Sequence, residues 1–220
     1  HPVLPRWLEM LPRRDDPEAR SRIANLKEAI RKRLDAEADD QAVPVRPPYI
    51  MKVLSETVPE DAVISIDIGE NGWWFGRNFR MKRQRFIMSG YLATMGFGLP
   101  AAIAAKLAQP GKKVFCITGD GGFAMAMAEL VTAVKYHLPM VVVVLDNREL
   151  GMIRVEQQME HYPNFGTDLL NPDFAAYAEA CGARGIKVNR PAELEPAIRK
   201  ALALDTVVVI DIETDPRRFV

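Results

Sequence analysis

Asp120 and Asn147 are the residues whose types and settings suggest chemistry. Asp120 lies in Gly119-Asp120-Gly121-Gly122, just after the apolar run Lys113 to Thr118. Asn147 follows a second apolar run, Met140 to Leu145, and Asp146. A carboxylate and a neutral amide oxygen suit Mg²⁺, which takes one or two carboxylates and fills its octahedron with phosphate oxygens and water. A backbone carbonyl just beyond Asn147 would add a third protein ligand. Gly121 and Gly122 carry no Cβ, so their amides can approach phosphate oxygens closely. The residue types point to a divalent cation clamping a polyphosphate.

The flanking runs must position these groups. Both read as buried parallel strands, and GDGG as a flexible turn after the first. Met125, Leu130 and Val134 stand near helical spacing in the segment that follows, which Pro139 ends. The donors would then sit at the carboxyl ends of neighbouring strands, where open α/β sheets bind ligands. The same reading continues along the chain. It predicts a helix over 49–57, a strand over 62–67 and a loop over 67–72. A short strand follows over 85–88, then a glycine-rich stretch, 89–102, with Pro100 in the early turns of a helix. Beyond the core motif come a helix over 173–181 closed by Gly182, a strand over 184–188, a helix over 192–204 and a strand over 207–212. Strands alternating with helices predict an α/β fold, a doubly wound parallel six-stranded sheet with helices on both faces. Residues 161–171 read as a polar, mobile loop in which His161 is a minor candidate for substrate contact. Trp73, Trp74 and Phe75 read as a subunit or domain interface.

Bulk composition narrows the function classes. The 29 basic and 29 acidic residues balance to a formal charge of zero, which argues against a general nucleic-acid or anionic-membrane surface. The longest apolar runs have strand length, so no membrane span is expected. The start, HPVLPRW, lacks the apolar core of a secretory signal. Cys116 and Cys181 read as reduced core cysteines, and the expected location is cytoplasmic. Residues 1–46 look different from the rest. Pro2, Pro5 and Pro12 interrupt the start, and Ile23, Leu26, Ile30 and Leu34 give the charged stretch 16–40 one modest helical stripe. This N-terminal arm reads as a solvated helix rather than a nucleic-acid-binding one, because acids intersperse its basic residues. Residues 42–48, with Pro44, Pro47 and Pro48, read as a linker.

GDG, roughly 25 residues, then Asn at the end of the next strand resembles the diphosphate–metal motif of thiamine diphosphate enzymes. Two further stretches extend the likeness: SGYLATMGFGLPAA from Ser89, and PDFAAYAEACGARGIKV from Pro172. From about Pro48 the chain resembles the C-terminal, diphosphate-binding domain of the pyruvate oxidase and acetohydroxyacid synthase family. The resemblance implies thiamine diphosphate and Mg²⁺ as cofactors, with Asp120, Asn147 and the Glu149 carbonyl as metal ligands. It makes Met95 the apolar wedge that bends the cofactor and Ala93 the source of a carbonyl for its 4′-amino group. It puts Gly69, Asn71, Gly119, Gly121 and Gly122 against the cofactor, and Leu150, Gly151, Met152 and Ile153 at its thiazolium end. Glu70 would be awkward beside an anion unless it turned away or met the metal shell.

Glu156 separates the branches of that family. GMIRVE has the methionine of the synthases and the glutamate of the oxidases, and a carboxylate near the reacting carbon can move a proton or position an acceptor. A pyruvate oxidase-like enzyme acting on a 2-oxo acid is the leading expectation. Acetohydroxyacid synthase and a noncatalytic module with a relict site remain the alternatives. Residues 1–46 would be the tail of a preceding domain, and 47–220 the cofactor domain. The acid that activates the cofactor would come from a pyrimidine-binding domain of a neighbouring subunit in a dimer or tetramer. FAD, where the full-length enzyme uses it, would lie mostly outside this chain.

Overall fold

A computed structural model describes residues 3–11 and 15–215 of the chain. Its residues fall into two compact units, His1–Ala36 and Glu37–Val220. In the first, α1 (Val3–Met10) carries Pro5 in its opening turn, where a missing N–H costs little; Pro2 and Pro12 lie outside the described residues. Helix α2 (Pro17–Glu37) buries none of its residues. Ile23, Leu26 and Ile30 of its stripe are exposed and Leu34 is half-buried.

The second unit runs α3 (Pro47–Thr57), β1 (Val63–Ile66), α4 (Glu70–Asn78), β2 (Arg85–Met88), α5 (Gly98–Ala108) and β3 (Val114–Gly119). After β3 come α6 (Asp120–Ala126), a 3₁₀ turn (Met127–Glu129), α7 (Leu130–Lys135) and β4 (Val141–Asp146). The chain ends with α8 (Gly151–Met159), α9 (Phe174–Ala180), β5 (Arg184–Val188), α10 (Pro191–Ala203) and β6 (Val208–Glu213). Among the described residues the six strands are all parallel, in the order β2-β1-β3-β4-β6-β5. Two apolar layers cover the sheet. Ile64, Phe115, Val143 and Ile210 face one, with α3 and α10; Cys116, Val142 and Val209 face the other, with Phe123 and Phe174. The expected architecture is present, down to the fully buried β4 written as Val141-Val142-Val143-Val144.

Five local expectations are corrected. GDGG is no free turn: α6 begins at Asp120, directly after β3. Residues 70–72 belong to α4 instead of a loop, and Gly69 before them has φ 139°, a conformation that L side chains rarely adopt. The amphipathic segment after GDGG breaks at the 3₁₀ turn, so Leu130 is buried while Met125 is exposed. Trp74 and Phe75 fill the core, and Trp73 packs half-buried against it, because a helix through those three residues turns two of them inward. The segment expected as a linker is tied down at Val45, whose N–H donates to the Glu213 carbonyl at 3.1 Å.

Candidate cofactor-binding site

Strands β3 and β4 pair in register, so their carboxyl ends finish side by side. The turn beyond each opens into one cavity of about 520 Å³. Asp120, Asn147 and Glu149 all line it. So do Gly69, Asn71, Gly119, Gly121 and Gly122 from the strand–helix turns, and Ala93 and Met95 from the glycine-rich stretch. Leu150, Met152, Ile153 and Glu156 line it too, with Glu156 exposed. Gly151 is absent from the lining; a Cβ there would stand 2.5 Å from Cδ of Glu70, so the glycine makes room for that carboxylate. His161 is exposed, with φ 59°, and does not reach the cavity.

Asp120 is the buried charge of the site. Its Oδ1 accepts from the Gly121 N–H at 2.8 Å, and its Oδ2 from the Arg148 N–H and Asn171 Nδ2, both at 2.7 Å. Burial pushes its carboxyl up to about 6, against the donors from Asn171 and Gly121, and the nearby Asp146 charge adds to the rise. A buried carboxylate whose Oδ1 accepts only the Gly121 N–H suits a cation. Arg148, at φ 57°, turns the chain so that its amide meets Asp120. Asn147 donates Nδ2 to Glu70 Oε2 at 3.0 Å and accepts the Glu149 N–H on Oδ1 at 3.0 Å. Glu70 thus turns from the glycine-rich turns toward Asn147.

Backbone pairing sets the third donor. Leu150 N–H donates to the Thr167 carbonyl at 2.8 Å, and Leu169 N–H to the Arg148 carbonyl at 2.9 Å. These bonds bracket an antiparallel bridge between Glu149 and Asp168. In such a pair the two bracketed residues turn their own N–H and C=O away from each other. The Glu149 carbonyl therefore points away from Asp168, and its side chain is engaged by Arg154 Nη1 at 2.6 Å. Among the described residues no three His, Cys, Asp or Glu side chains cluster as a metal cage. One carboxylate, one amide and one backbone oxygen fit an ion that completes its shell with phosphate and water.

The two glycines after Asp120 have packing reasons as well. A Cβ on Gly121 would meet Leu150 Cδ2 at 2.8 Å and Met95 Cε at 3.4 Å. A Cβ on Gly122 would meet Asp67 Cγ at 3.0 Å. Asp67, missed by sequence reasoning, is buried and accepts from the Gly96 and Gly98 N–H groups at 3.0 and 2.9 Å. It holds the stretch that carries Ala93, itself at φ 49°, and Met95. Asn71 is also a brace: its Nδ2 donates to the Asp67 carbonyl at 2.8 Å, which leaves Oδ1 for the cavity side. Beyond Asp120, Lys187 Nζ meets Asp211 Oδ2 at 2.6 Å and Asp146 Oδ2 at 3.8 Å.

The family model for the thiamine pyrophosphate enzyme, C-terminal TPP binding domain, matches residues 67–212. The chain belongs to this family. A putative thiamine pyrophosphate-containing protein, YdaP, of Bacillus subtilis is 46% identical over 180 residues, 81% of this chain and 31% of that protein. The acetolactate synthase isozyme 2 large subunit of Escherichia coli is 38% identical over 171 residues, 76% of this chain and 31% of its own length. A probable acetolactate synthase large subunit of Methanococcus aeolicus is 37% identical over 189 residues, again 81% and 31%. The TPP-binding chain thus spans about a third of these relatives. Among its described residues no helix is long and apolar enough to cross a membrane.

Proposed function

We propose that the unit from Glu37 onward binds the diphosphate of thiamine pyrophosphate through Mg²⁺, within an enzyme that decarboxylates a 2-oxo acid, pyruvate foremost. The observation that carries this reading is the convergence of Asp120, Asn147 and Glu149 on one cavity that Met95 and Leu150 also line. Asp120, Asn147 and the Glu149 carbonyl would hold the ion. The cofactor supplies a nucleophilic ring carbon for attack on a keto group. Met95 would prop the cofactor, Leu150 would line its thiazolium end, and the Ala93 carbonyl would accept from its amino group. Glu156, exposed at the cavity wall, would move a proton or orient the acceptor.

Pyruvate oxidase-like chemistry is the leading reading, and FAD, where the full-length enzyme uses it, would lie mostly outside this chain. Acetolactate synthase is the second reading, favoured by the names of two of the relatives above. In either case a pyrimidine-binding domain of a partner subunit completes the site in a homo-dimer or tetramer. The test uses the full-length enzyme. Calorimetry should show Mg²⁺-dependent cofactor binding that Asp120→Asn weakens at least tenfold; unchanged binding removes the metal assignment. Pyruvate turnover, scored for acetolactate against reduction of an electron acceptor, separates the two readings.

A further inference from the structure

Asn171 closes the segment 167–171 that lies along the ligand-bearing turn, and its amide has an unusual pair of partners. Nδ2 donates to Asp120 Oδ2 and to Asp146 Oδ1, each at 2.7 Å. Both carboxylates are buried, 2% exposed; Asp120 follows β3 and Asp146 ends the adjacent β4. Two like charges so placed need donors between them, because burial without a partner is costly. The amide orientation is dictated: a flipped Asn171 would aim its oxygen at two carboxylates. With Arg148 N–H and Asn171 both on Oδ2, that oxygen has its donors, while Oδ1 has one. Oδ1 is therefore the Asp120 oxygen with lone-pair capacity left for an ion.

We propose that Asn171 is a positioning residue for the metal centre: it fixes the Asp120 carboxylate so that Oδ1 is the ligating oxygen, and it latches 167–171 onto the turn that supplies Asn147 and the Glu149 carbonyl. The role rests on the metal reading above and adds a residue to it. The two backbone bonds from 148–150 to 167–169 hold the turn, and the Asn171 amide ties the same segment to the neighbouring strand. All three donors then depend on one short stretch of chain. Mg²⁺ demands near-octahedral ligation whereas Ca²⁺ tolerates irregular shells, so a misplaced carboxylate penalises Mg²⁺ more.

The test compares full-length wild-type enzyme with Asn171→Ala and Asn171→Asp. Thiamine pyrophosphate binding is followed by calorimetry during Mg²⁺ and Ca²⁺ titrations, beside metal-free melting and kcat at saturating Mg²⁺. Both variants should raise the Mg²⁺ half-saturation at least tenfold and lower the Mg²⁺/Ca²⁺ preference at least fivefold. At saturating Mg²⁺, kcat should stay within about threefold. Asn171→Asp discriminates further, since an added negative charge alone would tighten cation binding. Tighter Mg²⁺ binding by Asn171→Asp, unchanged half-saturation in both variants, or equal weakening for both ions with a lower melting temperature overturns the role. A wild-type enzyme whose cofactor binding ignores divalent ions overturns the metal reading itself and this role with it. A Mg²⁺-dependent wild type with wild-type-like variants overturns only the role of Asn171.

Discussion

Gly151→Ala is the most informative single change at the site, because its sign depends on one neighbour. Gly151 opens α8 and is not among the positive-φ residues, so alanine suits its backbone. On helix propensity and unfolded-state entropy alone the change would stabilise by about 0.4–1 kcal/mol. The new Cβ, however, would stand 2.5 Å from Glu70 Cδ, inside any tolerable contact. Glu70 must rotate away and give up the 3.0 Å bond from Asn147 Nδ2. A hydrogen bond to a charged group contributes about 1.5–3 kcal/mol, less where water can replace it. The net expectation is a loss of about 1–2 kcal/mol, or about 2–8 °C in melting temperature for a chain of this size. A double-mutant cycle isolates the cause. In a Glu70→Ala background Gly151→Ala should be neutral or stabilising by about 0.5 kcal/mol. Urea unfolding of the four proteins measures the coupling. An equal cost in both backgrounds would refute the reasoning and place the strain elsewhere in α8.

Further outcomes follow from the buried charges. Asp120, with its carboxyl raised to about 6, binds a proton more tightly folded than unfolded. The metal-free chain therefore loses stability as pH rises from about 4 to 6, through this group. Mg²⁺ binds the ionised form, so the melting-temperature gain on adding Mg²⁺ and cofactor should grow from pH 5 to 7 and level off above; a gain independent of pH would contradict the assignment. Asp67→Ala strands the Gly96 and Gly98 N–H groups and should cost about 3–5 kcal/mol in urea unfolding. Lys187→Met leaves the fully buried Asp211 without its cation and should cost about 3–5 kcal/mol at neutral pH. Burial already raises the Asp211 carboxyl, against the pull of Lys187. The penalty belongs to the ionised form, so it should shrink as pH falls toward about 4.

How much of this was legible in the sequence follows the range of each interaction. Strand runs such as Val141 to Leu145 state their burial in adjacent letters, and the sheet was readable from them. Asp120 and Asn147 were readable because each closes such a run, so a parallel sheet had to bring them together. Trp74 and Phe75 misled, since consecutive aromatics say nothing of which helical face turns inward until α4 is docked. In the sequence, Gly121 and Gly122 read as room for phosphate. The structure adds that Leu150 and Asp67 occupy the space a Cβ would need, so their presence cannot by itself testify to a ligand.

The residues that sequence reasoning missed share one property: their partners are distant in the chain and meet only once the strand order is known. Asp67 finds its amides at Gly96 and Gly98 through the crossover into α5. Lys187 finds Asp211 because β5 pairs β6 in register, Lys187 opposite Asp211. Asp146 enters the same cluster because β6 lies next to β4. Read locally, Lys187 is a charge in an edge strand and Asn171 a loop residue before Pro172. Placed in the sheet, they are donors to buried carboxylates, whose burial without a partner would be costly. The arrangement around Asp120 therefore extends beyond the residues that line the cavity. Asn171 does not line the cavity, yet it sets the partners of the Asp120 carboxylate that does.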